Sequence, residues 1–216
     1  MSDNTTNIIC VLNTLKHQYA DSTMLSSFTD KSPFQILIAT VLSARSRDDQ
    51  TIKVVEGLFS KYPDAFSMSK ASLKDLERLV KSSGFYRVKA RRINDISKLL
   101  VTEYNGNVPD DFSGLLSLPG VGRKTAGCVM IYAFKEGAIP VDTHVHRVSN
   151  RLGWVETKFP EKTEEELMKI IPKGYWLLIN ELFVLHGQNT CKPITPVCSN
   201  CVISKYCPKK DVLRSK

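Results

Sequence analysis

The stretch "LPGVGRKTAG", residues 118–127, decides how the rest of the chain is read. Leu118 precedes a proline and is pushed out of helical geometry, so a helix arriving over "DDFSGLLS" has to stop there. Gly120 and Gly122 then supply backbone angles that other residues avoid. Beyond them "RKTAGCVMIYAF" has the spacing of a second helix with Ala126, Val129, Met130, Ala133 and Phe134 inward, as Phe112, Leu115 and Leu116 are in the first. The expectation is a helix, a tight hairpin around Gly120, Val121 and Gly122, and a helix. Taken alone, such a turn is a corner between packed helices. Arg123 and Lys124, however, occupy the first turn of the second helix, where the dipole disfavours cations by about 0.3–1 kcal/mol. A hairpin beside a helix N-terminus offers backbone N–H groups to a phosphate. The helix end, the neighbouring Arg and partial burial all favour the neutral amine of Lys124, which is then a nucleophile.

Working outward, the same helical grammar recurs. Ile8, Val11, Leu12, Leu15 and Tyr19 make one apolar face. "SPFQILIATVLSA", residues 32–44, opens with Ser32 as N-cap, Pro33 at the first helical position and Gln35 closing a capping box. It is apolar almost all round and is expected to be central. Ile52, Val55 and Phe59 share a face, and Ser72 with Asp75 reads as a capping box before Leu73, Leu76, Leu79 and Val80, ended by Gly84. Ile93, Ile96, Leu99 and Leu100 mark a helix closed by Gly106 and Pro109. Thr163 and Glu166 read as the cap of one carrying Leu167 and Ile170, and Tyr175, Ile179, Leu182, Phe183 and His186 line the last. Only "VETKF" is ambiguous as a strand, so the expected class is all-α.

A second constellation lies in "IPVDTHVHRVSNRLGW", residues 139–154. Asp142 is placed to N-cap a short helix whose buried side is Val145 and Val148. A carboxylate near a nucleophilic amine can also take a proton, or stabilise a cationic sugar as a glycosidic bond breaks. His144 and His146 are two apart, a spacing that splays them on a helix, so both read as surface or packing residues.

Charge narrows the partners. Thirty Lys and Arg against 22 Asp and Glu give +8 and a pI near 9.2, a bias toward polyanions. "RLVKSSGFYRVKARR", residues 78–92, concentrates six cations and no acid around Phe85 and Tyr86, which suits phosphate contacts, Arg87 among them, beside an inserted aromatic wedge. No basic-then-apolar leader and no run near the roughly 20 apolar residues of a bilayer span is present, so the expectation is no membrane and an intracellular protein. Four of six cysteines fall in "CKPITPVCSNCVISKYC", residues 191–207, a C-x6-C-x2-C-x5-C pattern. Four thiolates in that span favour a metal centre over disulfides, and spacing alone leaves zinc and a 4Fe-4S cluster open.

"LPGVGRKTA", "VDTHVHRVSNRLG" and the four-cysteine tail together resemble endonuclease III, in the helix-hairpin-helix DNA glycosylase superfamily. The likeness runs from "FQILIATVLSA" to Cys207. It implies a two-lobed, all-helical molecule: a six-helix domain over 24–137 carrying the hairpin, and a cluster domain built from 1–23 and 138–216, with DNA in the groove between them. It implies Lys124 as nucleophile, Asp142 as its electrostatic and proton-handling partner, and Cys191, Cys198, Cys201 and Cys207 around a 4Fe-4S cluster. Arg123 with the hairpin, and Phe85 with Arg45, are the implied DNA contacts. In "LSARSRD" Arg45 stands where bacterial members have Gln, which changes what meets the orphaned base; Asp48 beside it carries no assigned role. Thymine-mismatch relatives usually carry Tyr at the place of Lys124 and adenine-removing ones Ser, neither a lyase nucleophile.

The resemblance therefore implies a monomeric base-excision enzyme of a prokaryotic cytoplasm, associated with the nucleoid through double-stranded DNA that carries a damaged base or abasic site. It would flip out an oxidised pyrimidine, release it, and cut 3′ to the site by β-elimination. The competing readings are a uracil or thymine mismatch glycosylase, and a non-catalytic DNA-binding or redox-sensing module.

Overall fold

The helix at the centre begins with a polar residue that finishes its own bonding. Ser32 sits in extended backbone, its Oγ accepts from the Gln35 amide at 3.3 Å, and Gln35 Oε1 accepts from the Ser32 amide at 3.2 Å. Pro33 follows, so two donors are satisfied and a third is absent at the first turn. The helix this starts, Pro33–Ser43, is buried from Phe34 to Leu42 apart from Gln35.

In this computed structural model residues 3–19, 30–46 and 48–216 are described. Among them are α1 (Asp3–Gln18), α2 (Pro33–Ser43), α3 (Asp48–Lys61), α4 (Ala65–Ser69), α5 (Leu73–Leu79), α6 (Tyr86–Tyr104), α7 (Phe112–Ser117), α8 (Arg123–Ala133), α9 (Thr143–Arg151), α10 (Pro160–Ile170) and α11 (Trp176–Asn189), with short 3-10 turns and no strand. "VETKF" is irregular backbone.

The chain divides into two compact units. Met24–Glu136 holds α2 to α8, with α2 packed on α3, α6 and α8, α6 on α4 and α5, and α7 on α8. Met1–Thr23 joins Gly137–Lys216 in the other, where α11 packs on α1 and α9, and α9 on α10. Ile8, Val11, Leu12 and Leu15 of α1 are fully buried there, and Tyr19 Oη meets His186 Nδ1 at 3.0 Å and Thr190 Oγ1 at 3.1 Å.

Several local expectations are corrected. The inward face of α3 is Thr51, Val54, Val55 and Leu58, with Ile52 and Phe59 half-exposed at its borders. Ser72 does cap α5, but its box is not reciprocal because the Asp75 carboxylate faces Lys61, Tyr62 and Arg78 instead. That helix stops at Leu79, ahead of Gly84. Thr163 does not cap α10, which starts at Pro160; it is buried inside, its Oγ1 2.6 Å from His146 Nδ1 and 2.5 Å from Thr157 Oγ1. In α8 Ala126 and Val129 are buried as expected, but with Gly127, Cys128, Ile131 and Tyr132, while Met130, Ala133 and the following Phe134 are only half-buried. Leu116 of α7 is exposed, its neighbour Leu115 carrying the packing.

Candidate functional site

The hairpin forms for the reason the proline suggests. Leu118 is extended, with ψ at 140°, and the Val121 amide turns back to the Leu118 carbonyl at 3.1 Å. Only Gly120 needs a glycine's freedom, at φ +73°. Gly122, at φ −99° and ψ 177°, is extended backbone open to any residue, which corrects half of that expectation. A Cβ on Gly122 would meet nothing within 4 Å, so no side chain of its own covers the first turn of α8 that it caps. Arg123 and Lys124 are the first two residues of that helix, Arg123 exposed with its guanidinium 5.1 Å over the Phe112 ring and Lys124 half-buried. A third cation reaches the turn from elsewhere: a Cβ on Gly120 would lie 2.7 Å from Nε of Arg92, an exposed residue of α6.

Asp142 is the N-cap of α9 in the other unit. One oxygen, Oδ1, accepts from the amides of His144 at 2.8 Å and Val145 at 2.9 Å. The cap thus fixes the carboxylate through a single atom and leaves Oδ2 outside it. His144 receives the Arg147 guanidinium at 3.2 Å and His146 packs on Thr163, so both are packing residues. The two arginines of this segment are anchors: Arg147 donates to the carbonyls of Gly187 and Cys191, and Arg151 to those of Lys192 and Pro193.

Two loops of the Met24–Glu136 unit bring Arg45 and Phe85 together, the Arg45 guanidinium 5.6 Å over the Phe85 ring. Both have positive φ, 54° and 58°, and Phe85 is 63% exposed. Arg87 is exposed beside them, over the Tyr86 ring at 5.2 Å. Lys89, from the same basic run, is no surface cation: it is 3% exposed and donates to the Leu42 carbonyl and Ser46 Oγ, each at 2.7 Å. Burial pushes its amine down to about 8. The Asp48 side chain lies outside the described residues.

Solved structures of endonuclease III give the decisive likeness. A non-covalent endonuclease III–DNA complex superposes with a TM-score of 0.85 at 38% identity, and a trapped endonuclease III–DNA covalent intermediate with 0.82 at 37%, each covering 97% of both chains. Endonuclease III of Thermotoga maritima is 50% identical over 178 residues, 82% of this chain and 84% of that one. The model of the HhH-GPD superfamily base excision DNA repair proteins matches residues 38–173. The chain belongs to the endonuclease III family.

As an endonuclease III relative it has the all-α HhH-GPD fold, and no helix among the described residues is long and apolar enough to cross a membrane. One expectation drawn from the family is overturned. Among the described residues no group of three or more His, Cys, Asp or Glu side chains is arranged to hold a metal ion, so the 4Fe-4S centre at Cys191, Cys198, Cys201 and Cys207 is not supported. The thiols are unpaired by disulfides and border a cavity of about 20 Å³, room for a single water. Three of the sulfurs have other neighbours: Cys191 accepts from Arg151, Cys207 donates to the Arg151 carbonyl and accepts from the Lys209 amide, and Cys201 lies 3.7 Å from His186 Nε2. Burial raises the thiols of Cys201 and Cys207, favouring the protonated form, and, followed by Arg147, lowers His186 to about 4.

Two residues escaped the sequence reading. Arg92 was one cation in a run, and its place over Gly120 depends on packing between α6 and the hairpin, 28 positions apart. Lys89 carries a signal only in retrospect: in α6 it precedes Ala90 and Ile93 on the buried side.

Proposed function

We infer that the protein is a base-excision DNA glycosylase with an associated AP lyase activity, acting on oxidised pyrimidines in duplex DNA. The observation that carries this is Lys124 at the second position of α8, directly after a hairpin whose open cap suits a phosphate, in a chain so similar to one trapped covalently on DNA. The hairpin and Arg123 hold the backbone beside the lesion, Arg45 and Phe85 fill the gap left by the extruded nucleotide, and Arg87 contacts a flanking phosphate.

Lys124 Nζ then attacks C1′ of the flipped nucleotide while the glycosidic bond breaks and the base leaves with its electron pair. Asp142 stabilises the positive charge that gathers on the sugar and takes a proton from the amine. Ring opening gives a Schiff base between Nζ and C1′, which acidifies the C2′ hydrogen. Loss of that proton expels the 3′ phosphate, and hydrolysis frees the lysine. No oxidant or reductant enters the balance.

Borohydride reduces a Schiff base to a stable amine, so it reports this intermediate directly. On a duplex with one thymine glycol opposite adenine, the natural protein is expected to give a covalent adduct and a nick, and Lys124→Ala neither. A folded natural protein that forms no adduct here or on a plain abasic site would overturn the lyase assignment. A panel with uracil and thymine opposite guanine separates the mismatch reading.

A further inference from the structure

The Arg45–Phe85 contact is assembled from two loops that have no reason of their own to hold still. Each residue takes the left-handed region without being glycine, a strained state that persists only where the surroundings over-determine it. The stacked pair points outward, so the determinant must lie beneath.

What lies beneath is Lys89. Its ammonium, buried and unpaired with any carboxylate among the described residues, ends on the Leu42 carbonyl at the last turn of α2 and on Ser46 Oγ. Ser46 Oγ in turn accepts from the Gly84 amide at 3.3 Å, the residue before Phe85. The two loops also touch backbone to backbone: a Cβ on Gly84 would come within 3.0 Å of the Arg45 carbonyl. Burying an ammonium is costly, and the two hydrogen bonds that Lys89 makes go to the end of α2 and to the loop hydroxyl that also holds the Gly84 amide, so the cost is incurred in joining the two loops.

We propose that Lys89 is a positioning residue: through Ser46 it clamps loops 44–46 and 83–85 together, so that Arg45 and Phe85 enter the DNA as one preassembled wedge. The role rests on the glycosylase reading above for its context. Ordering the two loops before DNA arrives removes that ordering from the binding step, and the stacked guanidinium presents donors and an aromatic edge as a unit. The wedge's geometry is then set by a residue that touches no DNA.

The test compares the natural protein with Lys89→Met, which keeps the apolar stem, and with Ser46→Ala. In a duplex holding 2-aminopurine opposite a tetrahydrofuran abasic analogue, insertion is read as the fluorescence change of the estranged base at saturating protein. Lyase chemistry is read by borohydride trapping on an abasic site in the duplex and in a single strand, where no wedge is needed. The expected result is a largely lost fluorescence change and duplex trapping slowed about tenfold for Lys89→Met, the scale of one charge-assisted hydrogen bond, with single-strand trapping unchanged. Ser46→Ala should show a smaller version of the same split, and the double variant little more than Lys89→Met alone. Unchanged fluorescence and duplex trapping in both variants overturns the proposal, as does an equal loss on both substrates, which marks mere support of the fold. If the natural protein traps neither substrate, the lyase assignment fails, and the fluorescence arm, which needs no chemistry, still decides the clamp.

Discussion

The cap that Asp142 forms and the catalytic role proposed for its carboxylate can be separated by substitution. Oδ1 is the cap of α9, and a side-chain carbonyl can accept the same amides from His144 and Val145. Asp142→Asn should therefore leave thermal unfolding almost unchanged, while Asp142→Ala lowers stability by about 1 kcal/mol. Both should slow trapping by roughly 10²–10⁴-fold, because neither side chain can carry negative charge or take the proton. A slow but equally stable Asn variant, against an unstable Ala one, identifies catalysis as separate from capping. At this scale the sequence was most explicit where a residue's task is local. Asp142, Ser32 and Leu118 act on neighbours within a few positions, and their geometry is as their spacing implies. The burial of Lys89 is not legible in the sequence because its partners, Leu42 and Ser46, lie more than 40 positions away.

Helices α3 and α5 are joined by one carboxylate. Asp75 receives Lys61, Arg78 and Tyr62, and these donors, Lys61 foremost, hold it well below the ordinary 3.8. A depressed carboxylate adds stability that is present above its unfolded value and is lost as the pH falls through its folded one. Urea unfolding of the natural protein and Asp75→Asn should thus differ at neutral pH in favour of the former, with the difference fading only below about pH 4. The pairs are at the surface, so salt should shrink the difference. This link also explains the failed box at Ser72. A capping box can be written into four residues, but whether the acid turns back to its own helix depends on which cations another helix brings. The end of α6 was legible for the opposite reason: Asn105 at φ 51° and Gly106 at φ 79° stop a helix by backbone angle alone, and the Gly106 amide closes on the Leu100 carbonyl at 2.7 Å.

For the molecule as a whole, the excess of eight positive charges has a measurable consequence in DNA binding. The logarithm of the affinity should fall linearly with the logarithm of salt concentration, at about −0.9 per phosphate neutralised. Arg92, seated over the hairpin glycine, should be one of those contacts, and Arg92→Ala should make the slope shallower by about 1 without changing preference among lesions. An unchanged slope would leave Arg92 as packing. The fold class was legible because helical spacing is repeated in every segment; the state of the four C-terminal thiols was not, because a spacing of cysteines fixes neither where the sulfurs point nor which arginines reach them first. The discontinuous unit has a consequence for synthesis. Helix α1 leaves the ribosome with Ile8, Val11, Leu12 and Leu15 facing outward, and its packing partner α11 follows only after Met24–Glu136 has been made. At about 5–20 residues per second the nascent apolar stripe waits roughly ten to thirty seconds for its mate, long enough for a chaperone to be its first partner and α11 its second.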